Sequence, residues 1–138
     1  IANDHRGIET KQKLTEYLTE KGYDVVNYGT NTEGRVDYTT YGFIIGEKVA
    51  NHEVDYGIAI CGTGIGMSIA ANKISGIIAA KVNTPREAKL CKEHNMANVI
   101  TLAEYTENLE EILENFIYTQ PSNEERHVRR LEKINHLE

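Results

Sequence analysis

The chain is short of cysteine, of basic residues and of any long apolar run, and each shortage excludes a class of protein. Cys61 and Cys91 are the only cysteines in 138 residues, too few for a disulfide scaffold, so both are expected as free thiols. Fifteen Lys and Arg against 21 Asp and Glu leave a net charge of -6, which gives no general attraction for nucleic acid or an anionic membrane. Any anionic ligand must therefore be held by a local cluster. The longest mostly apolar stretch, Gly57 to Ala71, is interrupted by Cys61, glycines, Thr63 and Ser68, and is too short and polar to span a bilayer. The opening IANDHRG lacks a basic segment, an apolar run and a cleavage site, so a cytoplasmic location is expected. Zinc spacing is missing too. Asp4-His5, Cys61, His94 and His127 fit no compact pattern, and no metal is expected.

What is present is the composition of a single packed domain over residues 1–138, with 40% hydrophobic and 26% charged residues. Ile1-Ala2 reads as the tail of a strand. Residues 8–21 place Ile8, Leu14, Tyr17 and Leu18 on one face of a helix that Gly22 ends. YDVVNYG (23–29) reads as a strand, residues 41–51 as a helix, 54–60 as a buried strand and 64–73 as a helix. The alternation continues with a strand at 77–82, a helix at 85–94 opened by Pro85, a fifth strand at 98–102 and a helix at 109–118. Strands apolar on both faces and separated by helices predict parallel pairing through right-handed crossovers. The expected fold is a three-layer α/β sandwich with a five-stranded parallel sheet and a C-terminal helix. That last helix carries Val128, Leu131, Ile134 or Asn135, and Leu137 as a narrow apolar stripe, expected to dock on its own domain, with packing on another subunit the competitor.

In a parallel sheet ligands bind beyond the C-terminal strand ends, so Asp4, His5, Cys61, Thr63 and Asn83 have the strongest claim to function. The densest feature is ICGTGIGMSIAANK, residues 60–73, where a strand runs into glycines at alternate positions and then a small-residue helix. Backbone N–H groups there are free to face an anion, and the helix dipole favours negative charge. The spacing is neither the dinucleotide GxGxxG nor a P-loop, so nucleotide binding is not expected. A tight turn with no ligand remains the alternative. Cys61 precedes this cradle, where a thiol is favoured as the thiolate and suited to act as nucleophile or base; a small buried packing residue is the alternative. Cys91 reads as packing. Asp4 and His5 follow the first strand, and His94-Asn95 end a helix that sheet topology is expected to bring to the same mouth. Arg126, Arg129 and Arg130 form the one basic cluster, either a phosphate clamp or a solvated face paired with Glu125 and Glu132.

NDHRG, VDYTTYG (36–42), ICGTGIGMSIAANK, EHNMANV (93–99) and ERHVRRLEKI (125–134) occur in one order across essentially the whole chain, and together they resemble the type B ribose-5-phosphate isomerases. The same sugar-phosphate isomerase family includes the galactose-6-phosphate isomerase subunits. The resemblance implies a Rossmann-like fold, no cofactor, and interconversion of an aldose and a ketose phosphate through a cis-enediolate. It implies Cys61 as the base, Thr63 as its assistant, and the N–H groups from Gly62 to Gly66, those of Gly64 and Ile65 included, as enediolate donors. His94 with Asp4 would open the furanose ring and Asn95 would hold a sugar hydroxyl. His5, Arg126 and Arg130 would bind phosphate, partly from a neighbouring subunit, so a homodimer or homotetramer with a shared site is implied. The chain departs from the pattern after the fifth strand, where TLAEYTENLEE lacks a phosphate-side arginine, and Arg86 is a candidate replacement. Glu124-Glu125 also stand where Gly-Gly is usual. These changes keep a six-carbon sugar phosphate open as the alternative substrate, and a non-catalytic sugar-phosphate binding module as the alternative of another class.

Overall fold

The computed structural model describes residues 1–137. Its elements follow one another as β1 (Ala2–Asn3), α1 (Ile8–Glu20), α2 (Tyr38–Ala50), β2 (Gly57–Cys61), α3 (Ile65–Asn72), β3 (Ala79–Lys81), α4 (Pro85–Glu93), β4 (Val99–Ala103), α5 (Leu109–Tyr118) and α6 (Glu125–Asn135). Among these residues no helix is long and apolar enough to cross a membrane. The strands form one parallel sheet in the order β1-β2-β4-β3, with Asn3 beside Ile60 and Cys61 beside Ala103.

Side chains alternate between the two faces of the sheet, as period-two geometry requires. Ile58, Ile60, Ile100 and Leu102 pack with Leu14, Leu18, Cys91, Ile112, Leu113 and Phe116 from α1, α4 and α5. Ala59 and Cys61 face the other way, onto Ile45 of α2 and Met67 of α3. The three layers expected from the sequence are present. Each fully buried Leu or Ile contributes about 1.5–3 kcal/mol, so these two faces supply most of the cohesion. Glycine lets α2 approach α3: a Cβ on Gly42 would stand 2.6 Å from the Ala70 methyl.

The sheet has four strands where five were expected. Residues 23–29 run alongside β1, with Ile1 N donating to Val26 O (2.8 Å), Tyr28 N to Ile1 O (2.8 Å) and Thr30 N to Asn3 O (3.2 Å), yet form no strand. The run ends in a turn in which Gly29 N–H donates to Asn27 Oδ1 (2.9 Å), and Lys11 Nζ holds the residues beyond it, donating to Thr30 O (2.6 Å) and Asn31 Oδ1 (2.7 Å). An Asx-type turn of this kind competes with ladder pairing. The terminal helix also differs from expectation. α6 buries none of its residues, and Ile134 and Leu137 are exposed, so the apolar stripe does not dock on its own domain. A face of about three apolar side chains on a helix this charged finds no matching groove on α4 or α5, whose apolar faces are already used against the sheet.

Candidate active site

The cradle is built where β2 gives way to α3. Gly64 caps the helix in the left-handed region (φ 78), and a Cβ there would stand 2.9 Å from the Leu102 carbonyl carbon, so glycine is required on both counts. Cys61, 4% exposed, ends the strand just before it, and its Sγ accepts the Gly64 N–H at 3.1 Å. The loop's carbonyls turn toward β4: Gly64 O accepts from Thr101 Oγ1 (2.7 Å) and Gly62 O from Glu104 N–H (3.3 Å). Of the N–H groups expected to face a ligand, those of Gly64 and Ile65 are spent inside the loop, Ile65 N donating to Thr63 Oγ1 at 3.2 Å. Those of Gly62, Thr63 and Gly66 have no partner among the described residues. Of the run from Gly62 to Gly66, Gly64 and Ile65 thus drop out as donors, because a sharp turn into a helix consumes part of its own N–H groups.

β1 lies next to β2, so Asp4 and His5 emerge beside Cys61, with strands about 4.8 Å apart. Asp4 is buried and accepts the Arg6 N–H at Oδ1 (2.9 Å). His5 Nδ1 accepts the Val36 N–H (3.2 Å), which leaves the proton on Nε2 to donate outward. Three neighbours escaped the sequence reading. The Tyr38 ring lies against the first turn of α3, where a Cβ on Gly66 would come within 2.6 Å of it. Arg6 forks onto both oxygens of Glu104, Nε to Oε2 at 2.7 Å and Nη2 to Oε1 at 2.5 Å. Tyr38 sits in the VDYTTYG motif and Arg6 in NDHRG, so the signal for both was adjacency to quoted motifs; Glu104 had only the altered sequence after the last strand.

His94, Asn95, Arg126 and Arg130 are not at this mouth. α4 returns from the C-terminal end of β3 to the start of β4, which puts His94 at the opposite end of the sheet, and the rise from Val99 to Ala103 alone is roughly 13 Å. The expectation that one mouth holds both groups is therefore wrong for a single chain: a parallel crossover must carry the end of its helix back to the strand beginnings. α6 joins His94 there. Ser122 N–H donates to Glu93 O (2.9 Å), Ser122 Oγ lies 2.6 Å from His127 Nδ1, and the His127 ring stacks on His94 with centroids 4.3 Å apart. Desolvation, Arg126 and His94 together shift His127 below the usual histidine range. Arg126 pairs with Glu124 and Arg129 with Glu125, while Arg130 has no ion-pair partner among the described residues. Arg86 is in the first turn of α4, just after β3, the edge strand that β4 separates from β2. Cys91 is core, and burial pushes its thiol up to about 11.

The candidate residues therefore fall into two groups, a thiol and glycine cradle at one end of the sheet and an imidazole pair with arginines at the other. Residues 1–134 match the Ribose/Galactose Isomerase family. The ribose-5-phosphate isomerase B of Escherichia coli is 42% identical over 107 residues, 78% of this chain and 72% of that protein. The galactose-6-phosphate isomerase subunit LacB of Clostridium acetobutylicum is 43% identical over 102 residues, 74% of this chain and 59% of that protein. Among solved structures, the Trypanosoma brucei type B ribose 5-phosphate isomerase superposes with a TM-score of 0.94 at 42% identity, covering 99% of this chain and 95% of that one. By sequence over nearly its full length and by fold, this chain belongs to the ribose/galactose isomerase family.

Proposed function

We propose that the protein interconverts ribose 5-phosphate and ribulose 5-phosphate, with Cys61 as the base and a site completed by a second copy of the chain. The observation that carries this reading is Cys61 Sγ beside the cradle, whose Gly62, Thr63 and Gly66 N–H groups have no partner among the described residues. A proton on carbon next to a carbonyl is weakly acidic, so the reaction needs a base and donors for the oxygen that becomes charged. The Cys61 thiolate takes the C2 proton of the open-chain aldose, the electron pair forms the C1–C2 double bond, and charge builds on O1, where the N–H groups receive it. Thr63 passes the O2 proton to O1. The proton on Cys61 then returns to C1, leaving the carbonyl at C2; nothing is gained or lost overall.

Ring opening needs a separate acid and base. His94 serves that step from the second copy, with Asp4 of the first, and Asn95 holds a hydroxyl. Arg126 and Arg130 reach the phosphate from the same second copy, opposite the His5 Nε2–H of the first. Self-complementary packing about a two-fold axis joins the Cys61 end of one copy to the His94 end of the other, twice per dimer. Exposed Phe43, Ile65 and Ile69 on the α2/α3 face, and the uncovered stripe of α6, provide apolar surface for such packing.

A hexose 6-phosphate is the second reading, favoured by the Glu104-Tyr105 sequence after β4 and the similarity to LacB. A binding module without catalysis fits less well, since Cys61, Thr63 and His94 are all retained. Incubation with ribose 5-phosphate in deuterium oxide tests the reading. Isomerisation with deuterium entering C2 of the aldose and C1 of the ketose is expected. No turnover of that substrate or of allose or galactose 6-phosphate overturns it.

A further inference from the structure

We propose that the Arg6–Glu104 ion pair is a positioning device that aims the Thr63 N–H into the cradle. The inference rests on the isomerase reading for its catalytic consequence, though the positioning itself is measurable without turnover.

β1 and β4 flank β2, so a link between their ends must cross the end of the strand that bears Cys61. Arg6 and Glu104 make that link with two parallel N–H to oxygen bonds, a fork that fixes direction as well as distance. Each end is tied down again. The Arg6 N–H donates to Asp4 Oδ1 (2.9 Å), Glu104 O accepts from Thr10 Oγ1 (3.4 Å), and the Ala103 N–H donates to Thr106 Oγ1 (2.9 Å).

What this frame holds is one peptide. Glu104 N–H donates to Gly62 O at 3.3 Å, a bond at the long end of the useful range that is weak without support. The peptide between Gly62 and Thr63 is planar and trans, so its C=O and N–H point in opposite directions. With the carbonyl turned toward β4, the Thr63 N–H faces the β1 side, where Asp4 and His5 emerge. A Cβ on Gly62 would meet nothing within 4 Å, so no side-chain packing at Gly62 fixes the direction of this peptide. The ion pair supplies the missing constraint. The Arg6 bond also holds the Glu104 carboxyl below the usual carboxylate range, so the fork persists through neutral pH.

The test uses Glu104→Gln, Arg6→Met and the exchanged pair Arg6→Glu/Glu104→Arg in the full-length protein. Mis-aiming a donor by a fraction of an ångström is expected to lower kcat about tenfold in each single variant with KM little changed, and the exchanged pair should recover most of it. Amide hydrogen exchange of Glu104 in the resting protein should speed up about tenfold in Arg6→Met, as a weakly supported bond opens more often. Unchanged kcat and unchanged Glu104 protection would overturn the inference, as would a loss that the exchanged pair does not restore. A fall in Arg6→Met alone, with Glu104→Gln fully active, would make Arg6 a charge shield and also overturn it. If the wild-type protein turns over no sugar phosphate, the isomerase reading fails, and Glu104 protection still decides whether the pair holds the peptide.

Discussion

His94 lies at the opposite end of the sheet from Cys61, separated from it by at least the length of β4. The residue proposed to open the sugar ring and the residue proposed to move the carbon-bound proton therefore cannot meet within one chain. The roles also separate chemically. Ribulose 5-phosphate has no free 5-hydroxyl and cannot close the ring that ribose 5-phosphate forms, so only the aldose direction needs His94. His94→Asn should lose about 100-fold or more in turnover of ribose 5-phosphate while still exchanging the C1 hydrogen of ribulose 5-phosphate with deuterium oxide. Cys61→Ala should lose both, which proton NMR of the two sugars distinguishes.

The cradle glycines should differ sharply on substitution by alanine. Gly64→Ala meets a positive φ and the Leu102 carbonyl, and is expected to destabilise by about 1–3 kcal/mol. Gly66→Ala forces the Tyr38 ring aside and should cut activity with smaller loss of stability. Gly62→Ala has open space and should fold normally. Urea midpoints and kcat measured side by side check the order.

Glu104 offers a pH signature. Its folded-state pKa is lowered, chiefly by the Arg6 hydrogen bond, so the pair's contribution is complete above the ordinary glutamate range and is lost as pH falls through the lowered value. Arg6→Met should return the Glu104 titration toward normal, seen by carbon NMR of the carboxyl. Arg6 is exposed and Glu104 half-exposed, so the effect on unfolding midpoint should be small and weaken further with salt.

Cys91 should be chemically silent. Its thiol is buried in the core and pushed up to about 11 by desolvation. The Cys61→Ala protein should therefore take up no iodoacetamide below about pH 9 while folded, and one equivalent once unfolded, as mass spectrometry reads directly.

Much of this was legible in the sequence where a single local rule decides. Leu109–Tyr118 came out with its bounds, Pro85 opens its helix behind a Thr84 cap, and the glycines after Cys61 mark the sharp turn from strand to helix. Local rules failed where a side chain or the topology intervened. Residues 23–29 have strand composition and bond to Ile1, yet the run ends in a turn closed by Gly29 N–H on Asn27 Oδ1. The helix placed at Tyr41 begins at Tyr38, because Thr39 and Thr40 hid the first turn behind polar residues. His94 was assigned to the Cys61 mouth because both flank helices, although the return direction of α4 decides which end each one occupies. Arg6 and Glu104 are 98 residues apart and carry opposite charges, a pairing that only the strand order reveals.

Mixing two inactive variants tests the shared site most directly. Cys61→Ala and His94→Asn proteins, unfolded together in equal amounts and refolded, form half their dimers as hybrids, and each hybrid holds one intact site and one doubly damaged site. The account predicts recovery of about one quarter of wild-type ribose 5-phosphate turnover from two nearly inactive parents. Activity no higher than that of the parents, in a mixture shown to contain hybrids, would contradict a site built from Cys61 of one copy and His94 of the other.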